Sequence, residues 1–439
     1  MVDRMDSIEK RILEIIDENA PKLQALAEDI YTNAEQGYHE YRTAAIAAEW
    51  LQGLGLEPST GLAVTGVKAS LGEGNGPNVA LIGELDGLAC PDHPCANKGF
   101  AHSCGHYAQM VCMLGAATAL SDPEVAASLN GKVTFFAVPA EEFQDSSVRR
   151  EVREKFDVHC GGGKCELIRR GEFDDIDMAV TTHSHMVARD SGIDIMLGNS
   201  ACTGFVGKTV YMHGRAAHAA AAPHLGVNAL NAACLGMSAL GMIRETFREK
   251  DCVRVHPYIK NGGQAINVVP SEAEVDMMVR ANSQPVIEEV SKKVDNCFLG
   301  AAMAIGCTCD IEDSQGYMPC PEIDPDELMF SAAAMLGDDV KVASIPLGVC
   351  NTASTDVGDL CAVMPVMNFT FGGSSGDLHS KDYKVEDRYV AHILPAKMMA
   401  LLTYRLLRDG AQGAENFISG YKPAMTIEEY KAYCNRMSP

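Results

Sequence analysis

The chain has 439 residues, 47% of them hydrophobic and 22% charged, and carries a formal net charge of −23. That length suits two or three domains of roughly 100–200 residues each, and the apolar share is ample for buried cores. The acidic surplus excludes a nucleic-acid partner, which needs clustered lysine and arginine; it reads as a soluble cytoplasmic surface, and attraction of a cationic substrate is an alternative that charge alone does not carry.

Residues 6–33 read as an amphipathic helix, because Ile8, Ile12, Ile15, Ile16, Leu23, Leu26 and Ile30 recur at helical spacing. The charged start, with Asp3, Arg4, Asp6, Glu9, Lys10 and Arg11, leaves no apolar leader, and no run of about 18 uncharged apolar residues predicts a membrane span. A second helix over 44–54 closes at Gly53 and Gly55. Strands follow at 66–71 and 78–84, joined by the turn-rich Gly72-Glu73-Gly74-Asn75-Gly76-Pro77. The alanine-rich stretch 107–120 predicts a buried helix, 131–138 a buried strand, and 178–182 a third short apolar run ending at His183. Strands alternating with helices predict an α/β sheet covered on both faces, with chemistry at the carboxyl ends of the strands.

Residues 200–313 read as a separate α+β unit, with strands at 203–212, 253–259 and 273–280 and helices at 228–248 and 286–305. After Pro319 and Pro321 the α/β pattern resumes with a helix at 325–336, the stretch Gly372-Gly373-Ser374-Ser375-Gly376, and a long helix near 388–407. The 16 cysteines are scattered, several inside apolar runs (Cys112, Cys234, Cys297), without the short-range framework of a small secreted scaffold. They read as buried thiols of a reducing cytoplasm. Cys90 and Cys95, and likewise Cys160 and Cys165, lack zinc-knuckle spacing and read as non-ligands.

Two short segments concentrate reactive groups. Ala101-His102-Ser103-Cys104-Gly105-His106 offers a thiolate and an imidazole two residues apart, and Pro139-Ala140-Glu141-Glu142 offers adjacent carboxylates at the end of an apolar run. Cysteine, histidine and carboxylate are the ligand types of a Zn- or Mn-class site. A carboxylate left over beside such a site is the natural general base for a metal-activated water. Asp86, the glutamate pair and His183 follow successive strands, so the pattern gathers them at one sheet edge and points to metal-assisted hydrolysis.

The chain resembles the M20 metallopeptidase and amidohydrolase family, in the branch of aminoacylase-like, indole-acetyl-amino-acid and aminobenzoyl-glutamate hydrolases. Besides the two segments above, the likeness rests on Glu35-Gln36-Gly37-Tyr38-His39-Glu40, Gly83-Glu84-Leu85-Asp86-Gly87-Leu88, Asp175-Ile176-Asp177 with His183 beyond, and Gly214-Arg215-Ala216-Ala217-His218-Ala219. It continues through Gly262-Gly263-Gln264-Ala265-Ile266-Asn267-Val268-Val269-Pro270, Ser354-Thr355-Asp356-Val357-Gly358-Asp359 and Gly376-Asp377-Leu378-His379-Ser380. The resemblance implies a split catalytic domain over 1–199 and 314–439, with a mixed, mainly parallel sheet covered by helices, and an inserted α+β lid or dimerisation domain over 200–313. It implies two divalent metal ions per subunit, Zn2+ or Mn2+ with Co2+ as a further candidate. Their ligands would be Cys104, His106, Glu142, His183 and His379. Glu141 would be the general base and acid, and Asp86 would orient a ligand. His218, reaching over from a second subunit, would stabilise the oxyanion; Asn267 and Arg280 would grip the substrate's carboxylate. The implied partners are a small amide or dipeptide substrate and a second copy of the chain, with neither nucleic acid nor membrane.

The step from Asp177 favours His183 over His185 as the ligand, and His102 and Tyr107 read as neighbours of the site or core. Two departures from the family pattern stand out. A charged insert from Phe143 to Cys160 separates the glutamate pair from Gly161-Gly162-Gly163-Lys164, and reads either as a solvated helix or as a wall of the substrate pocket. Tyr107 replaces the common Asp or Asn. The rival readings are a catalytically silent member of the family and, last, a thiol-redox or metal-storage protein, which the absence of Cys-x-x-Cys disfavours.

Overall fold

The computed structural model describes residues 5–74, 76–142, 145–185 and 192–437, so Asn75 of the predicted turn and Phe143 and Gln144 of the insert lie outside the described residues. The chain divides into two compact units. The first comprises Met1–Ser200, Glu322–Val349 and Asp359–Lys431; the second comprises Ala201–Pro321, Cys350–Gly358 and Ala432–Pro439.

The first unit is built on an eight-stranded sheet in the order Ser59–Leu62, Gly66–Leu71, Lys132–Val138, Asn78–Glu84, Met178–Ser184, Val366–Phe371, Ile195–Leu197, Val342–Ser344. The three central pairings are parallel, and so is the outermost pairing of Val342–Ser344 on Ile195–Leu197. The remaining three are antiparallel. The strands Asn78–Glu84 and Val366–Phe371 are buried at every position, the signature of a sheet covered on both faces.

The helix Ser7–Thr32 opens with a capping box, in which Asp6 Oδ1 accepts from the Glu9 N–H at 2.8 Å and Glu9 Oε2 accepts from the Asp6 N–H at 3.0 Å. It packs with Leu394–Leu407 on the helix His106–Leu120, which is buried at all but one of its positions. The predicted helix near 388–407 begins as a π-turn, Tyr389–Ile393, before the α-helix Leu394–Leu407. Pro395 is the reason: without an N–H it cannot close the i→i−4 bond, and the preceding turn widens. The window from Tyr389 to Leu407 is long and apolar enough to cross a bilayer, yet 94% of it is buried in the core.

Three sequence expectations are corrected here. The strand Val366–Phe371, central to the sheet, was not anticipated. His183 lies within the strand Met178–Ser184 rather than beyond it. The second unit carries a fourth strand, Thr308–Gln315, beyond the predicted three. Its sheet runs Arg254–Asn261, Glu272–Ala281, Gly204–His213, Thr308–Gln315, all antiparallel. The helices Ala229–Ile243 and Gln284–Ile305 pack against it around a core of its own that includes Val210, Val275, Val294 and Phe298.

Candidate active site

In the first unit, strand and helix ends converge on one place. The strand Asn78–Glu84 leads to Asp86; the helix His106–Leu120 begins at His106, two residues after Cys104; Lys132–Val138 runs through Pro139 and Ala140 to Glu141 and Glu142; Met178–Ser184 carries His183. His379 arrives from the loop after Val366–Phe371, in a left-handed conformation (φ 60°), with its N–H on the Ser103 carbonyl at 2.9 Å. Gly105 turns the chain between the two motif residues at φ 92°, and a Cβ there would collide with the side chain of Ser184. Only glycine satisfies both conditions.

The histidine tautomers follow from their outer contacts. His106 Nδ1 faces the Asp86 carbonyl oxygen at 2.9 Å and Asp86 Oδ1 at 3.2 Å, so Nδ1 donates and Nε2 is left for the donor cluster; burial lowers the His106 pKa, but Cys104, Glu84 and Asp86 outweigh it and raise it well above the usual imidazole value. His183 Nδ1 donates to the Ser184 carbonyl at 2.8 Å, leaving Nε2 at 3.4 Å from Cys104 Sγ. His379 Nε2 lies 3.3 Å from Cys104 Sγ and 3.1 Å from Glu142 Oε1. Asp86 also accepts the backbone N–H groups of Glu141 at 3.1 Å and Glu142 at 3.0 Å, so one buried carboxylate orients a histidine and both glutamates. Glu141 Oε2 stands 3.7 Å from His106 Nε2.

The electrostatics favour a thiolate. Burial pushes the Cys104 thiol up, but His183 and His106 outweigh it and bring the pKa down to about 5. His379 is raised to about 11 by its contacts with Cys104 and Glu142.

The donor set fits a divalent metal. Cys104, His106 and His183 form one group whose donor atoms lie within 4.8 Å of one another, and Cys104, Glu142 and His379 form a second, with the sulfur common to both. His106 Nε2 is buried without a hydrogen-bond partner, as a ligand atom awaiting a cation would be. Thiolate, imidazole and carboxylate together suit zinc-class ions.

The structure also brings up residues that sequence reasoning did not single out. Glu84 Oε2 lies 3.2 Å from His106 Nε2, and Glu84, His106 and Glu141 form a third such group. Lys164 and Gln109 hold Glu84. Burial raises the Glu84 pKa, but Lys164, then His106 and His183, bring it down to about 2. Glu40, fully buried, accepts the Ala140 N–H at 2.8 Å and the Thr65 hydroxyl at 2.6 Å, under the turn that enters Glu141. Glu84, Lys164 and Glu40 all stand inside the motifs quoted above, which is the signal that could have found them.

Other candidates fall elsewhere. His185 turns to Thr370 Oγ1 at 3.0 Å and the Ile193 carbonyl at 3.3 Å. His102 is buried, and desolvation, with His106 nearby, lowers its pKa to about 3. Tyr107 packs on Tyr31 at 4.8 Å and pairs with His392 Nε2 at 3.2 Å, in the core. The insert forms the helix Ser146–Phe156, charged outside, with Val152 buried alongside Tyr38 and Ala140. None of the 16 cysteines forms a disulfide.

In the second unit, His218 is exposed, and its Nδ1 accepts the N–H groups of Ala220 at 3.2 Å and Ala221 at 3.1 Å, so Nε2 carries the proton and can donate. Asn267 is exposed, and its carbonyl accepts the Ala219 N–H at 2.9 Å. Arg280 Nη1 donates to Ser354 Oγ at 2.7 Å, with its guanidinium 5.1 Å from the Phe205 ring centre.

Residues 201–301 match the peptidase dimerisation domain family. The chain is 30% identical over 403 residues to the Xaa-Arg dipeptidase of Mus musculus, covering 86% of this chain and 83% of that protein. It is 27% identical to a p-aminobenzoyl-glutamate hydrolase of Escherichia coli, covering 92% of this chain and 93% of that protein. The fold matches that of the Bacillus subtilis YXEP protein, described as a dinuclear metal binding peptidase, with a TM-score of 0.62 at 18% identity over 89% of this chain and 99% of the other. Fold and site together define a metal-dependent hydrolase. The chain belongs to the M20 family of metallopeptidases and amidohydrolases.

Proposed function

We propose that this protein cleaves the amide bond of a small N-acyl or N-aroyl amino acid or of a dipeptide, using two divalent metal ions, Zn2+ or Mn2+ with Co2+ as a competent substitute. The observation that carries this reading is the Cys104 sulfur common to two donor groups, with Glu141 beside them. Two of its relatives are named as a dipeptidase and an aminobenzoyl-glutamate hydrolase subunit, which supports this substrate class.

Cys104, His106, Glu142, His183 and His379 would hold the metals. When bound, these ions supply the acidity of a water and the polarisation of the amide carbonyl. Glu141, its backbone fixed by Asp86, takes the attacking water's proton and delivers it to the leaving nitrogen. His218 of the partner subunit donates its Nε2 proton to the developing oxyanion, and Asn267 and Arg280 pair with the substrate's free carboxylate. In this reading residues 1–199 and 314–439 are the catalytic domain, residues 200–313 form the lid and dimerisation domain, and the working form is a cytoplasmic homodimer.

The test is hydrolysis by purified protein supplied with Mn2+, Zn2+ or Co2+, on N-acyl amino acids, aminobenzoyl-glutamate and dipeptides, with Glu141→Gln in parallel. The variant is expected to keep its metal and lose about 10²–10⁴-fold in kcat. Full activity in Glu141→Gln would remove Glu141 as the base. A wild type that binds two metals yet cleaves nothing on the panel would favour the silent-scaffold reading.

A further inference from the structure

Glu84 pairs one carboxylate oxygen with a buried lysine and turns the other to the donor cluster. Its side chain is buried, and Oε1 lies 2.5 Å from the ammonium of Lys164, which is itself fully buried. Oε2 accepts a hydrogen bond from Gln109 Nε2 at 2.8 Å and stands 3.2 Å from His106 Nε2. Because His106 Nδ1 donates to Asp86, an imidazole made neutral by a bound metal would turn its Nε2 lone pair to the side of Glu84, with Glu141 Oε2 at 3.7 Å on the same nitrogen. Glu84, His106 and Glu141 thus offer three buried donor atoms within 4.8 Å of one another, a spacing that suits one shared cation. Nε2 makes no hydrogen bond to either, so the geometry does not aim a proton at them.

We infer that Glu84 is a direct ligand of the metal that His106 holds, a sixth protein ligand beyond the five that family resemblance implies. The inference rests on the proposed metal centre. Two donors at right angles on one ion, each about 2.1 Å from it, stand about 3.0 Å apart. The separation of 3.2 Å between Glu84 and His106 is of that size. So is the 3.1 Å between His379 and Glu142, a pair within one of the two donor groups that share Cys104. Lys164 and Gln109 are positioning residues here. Lys164 neutralises Oε1, and with Gln109 it fixes the carboxylate plane so that Oε2 faces the ion. A hard oxygen ligand added to a thiolate site raises the coordination number and widens tolerance toward Mn2+.

The test uses Co2+ on the full-length protein, comparing wild type with Glu84→Gln, which preserves shape and removes the charge. Dissociation constants come from chelator competition, and d–d absorption reports coordination number. Loss of the ligand is expected to weaken one Co2+ by more than about 100-fold, beyond the roughly 10–100-fold typical of a group that only supports a ligand. The absorption of that ion should also change in intensity. Unchanged affinity overturns the inference. Weaker binding with an unchanged spectrum also overturns it, since that marks Glu84 as a counter-ion only. Should Glu84→Gln strand Lys164 and prevent folding, the double variant Glu84→Gln with Lys164→Gln removes the uncompensated charge and gives the same two readouts. A wild type that binds one Co2+, still sensitive to Glu84→Gln, refutes the two-metal reading and leaves Glu84 as a ligand; a wild type that binds none refutes both.

Discussion

Asp86 belongs to none of the donor groups, yet three members of the site hang on it: the His106 ring and the peptide N–H groups of Glu141 and Glu142. Asp86→Asn keeps the shape but turns one acceptor oxygen into a donor that faces N–H groups. Metal affinity should fall about 10–100-fold, read by chelator competition, while the fold persists. Glu40 makes a second prediction, through pH. Burial first, and the charge of Asp86 second, raise its pKa to about 8, whereas an unfolded glutamate titrates near about 4.3. Between those values the folded chain holds the extra proton, so the stability of the metal-free protein falls as pH rises through that window. Glu40→Gln removes the slope. Denaturant unfolding at pH 5 and pH 8 should show the wild type losing at least about 1 kcal/mol more than the variant; equal losses would mean that Glu40 is ionised throughout. The convergence of Cys104, His106, Glu142, His183, His379 and Glu141 is legible because each sits in a short motif whose residue types have few other uses. Glu84 also stands in a quoted motif, but its partners Lys164 and Gln109 lie 80 and 25 positions away, so its role is not separable locally from that of Asp86 two residues on.

At the scale of elements, long apolar periodicity read well, as in the helices Ser7–Thr32 and His106–Leu120. Thr308–Gln315 escaped notice because it is a sheet edge, polar at nearly every second position and buried at only one end. Val366–Phe371 is hard to read because Asn368 and Thr370 interrupt its four apolar residues, although all six positions are buried. The insert helix Ser146–Phe156 illustrates the opposite case: its charge pattern was readable, but its one buried face, Val152 near Ala140, was not. Val152→Ala should cost about 1–2 kcal/mol in thermal or denaturant unfolding, as other small core truncations do. If the helix also walls the substrate pocket, the KM of a bulky substrate will shift while that of a small one stays fixed.

Across the whole molecule, each unit has its own apolar core, and every candidate metal donor belongs to the first. A metal stabilises only the unit that binds it, by RT ln(1 + [L]/Kd). Calorimetry with and without a chelator should therefore show two transitions, of which only one moves. About 100-fold saturation over Kd corresponds to a shift equivalent to about 2.7 kcal/mol. Both transitions moving together would mean that the units unfold as one.

The order of the strands has a consequence for the chain as it is made. Val366–Phe371 slots between Met178–Ser184 and Ile195–Leu197, so the sheet is left with a gap until the last quarter of the chain has emerged. His379 follows only then. At roughly 5–20 residues per second, the roughly 200 residues from His183 to His379 take about 10–40 s to synthesise. For that interval Cys104, His106 and His183 are already made, with neither His379 nor the strand that closes the sheet available to them. The newborn protein therefore passes through a stage in which the sulfur common to both donor groups lacks one of its neighbours. Metal supplied during synthesis, rather than afterwards, should raise the fraction of molecules with an intact Cys104 thiol.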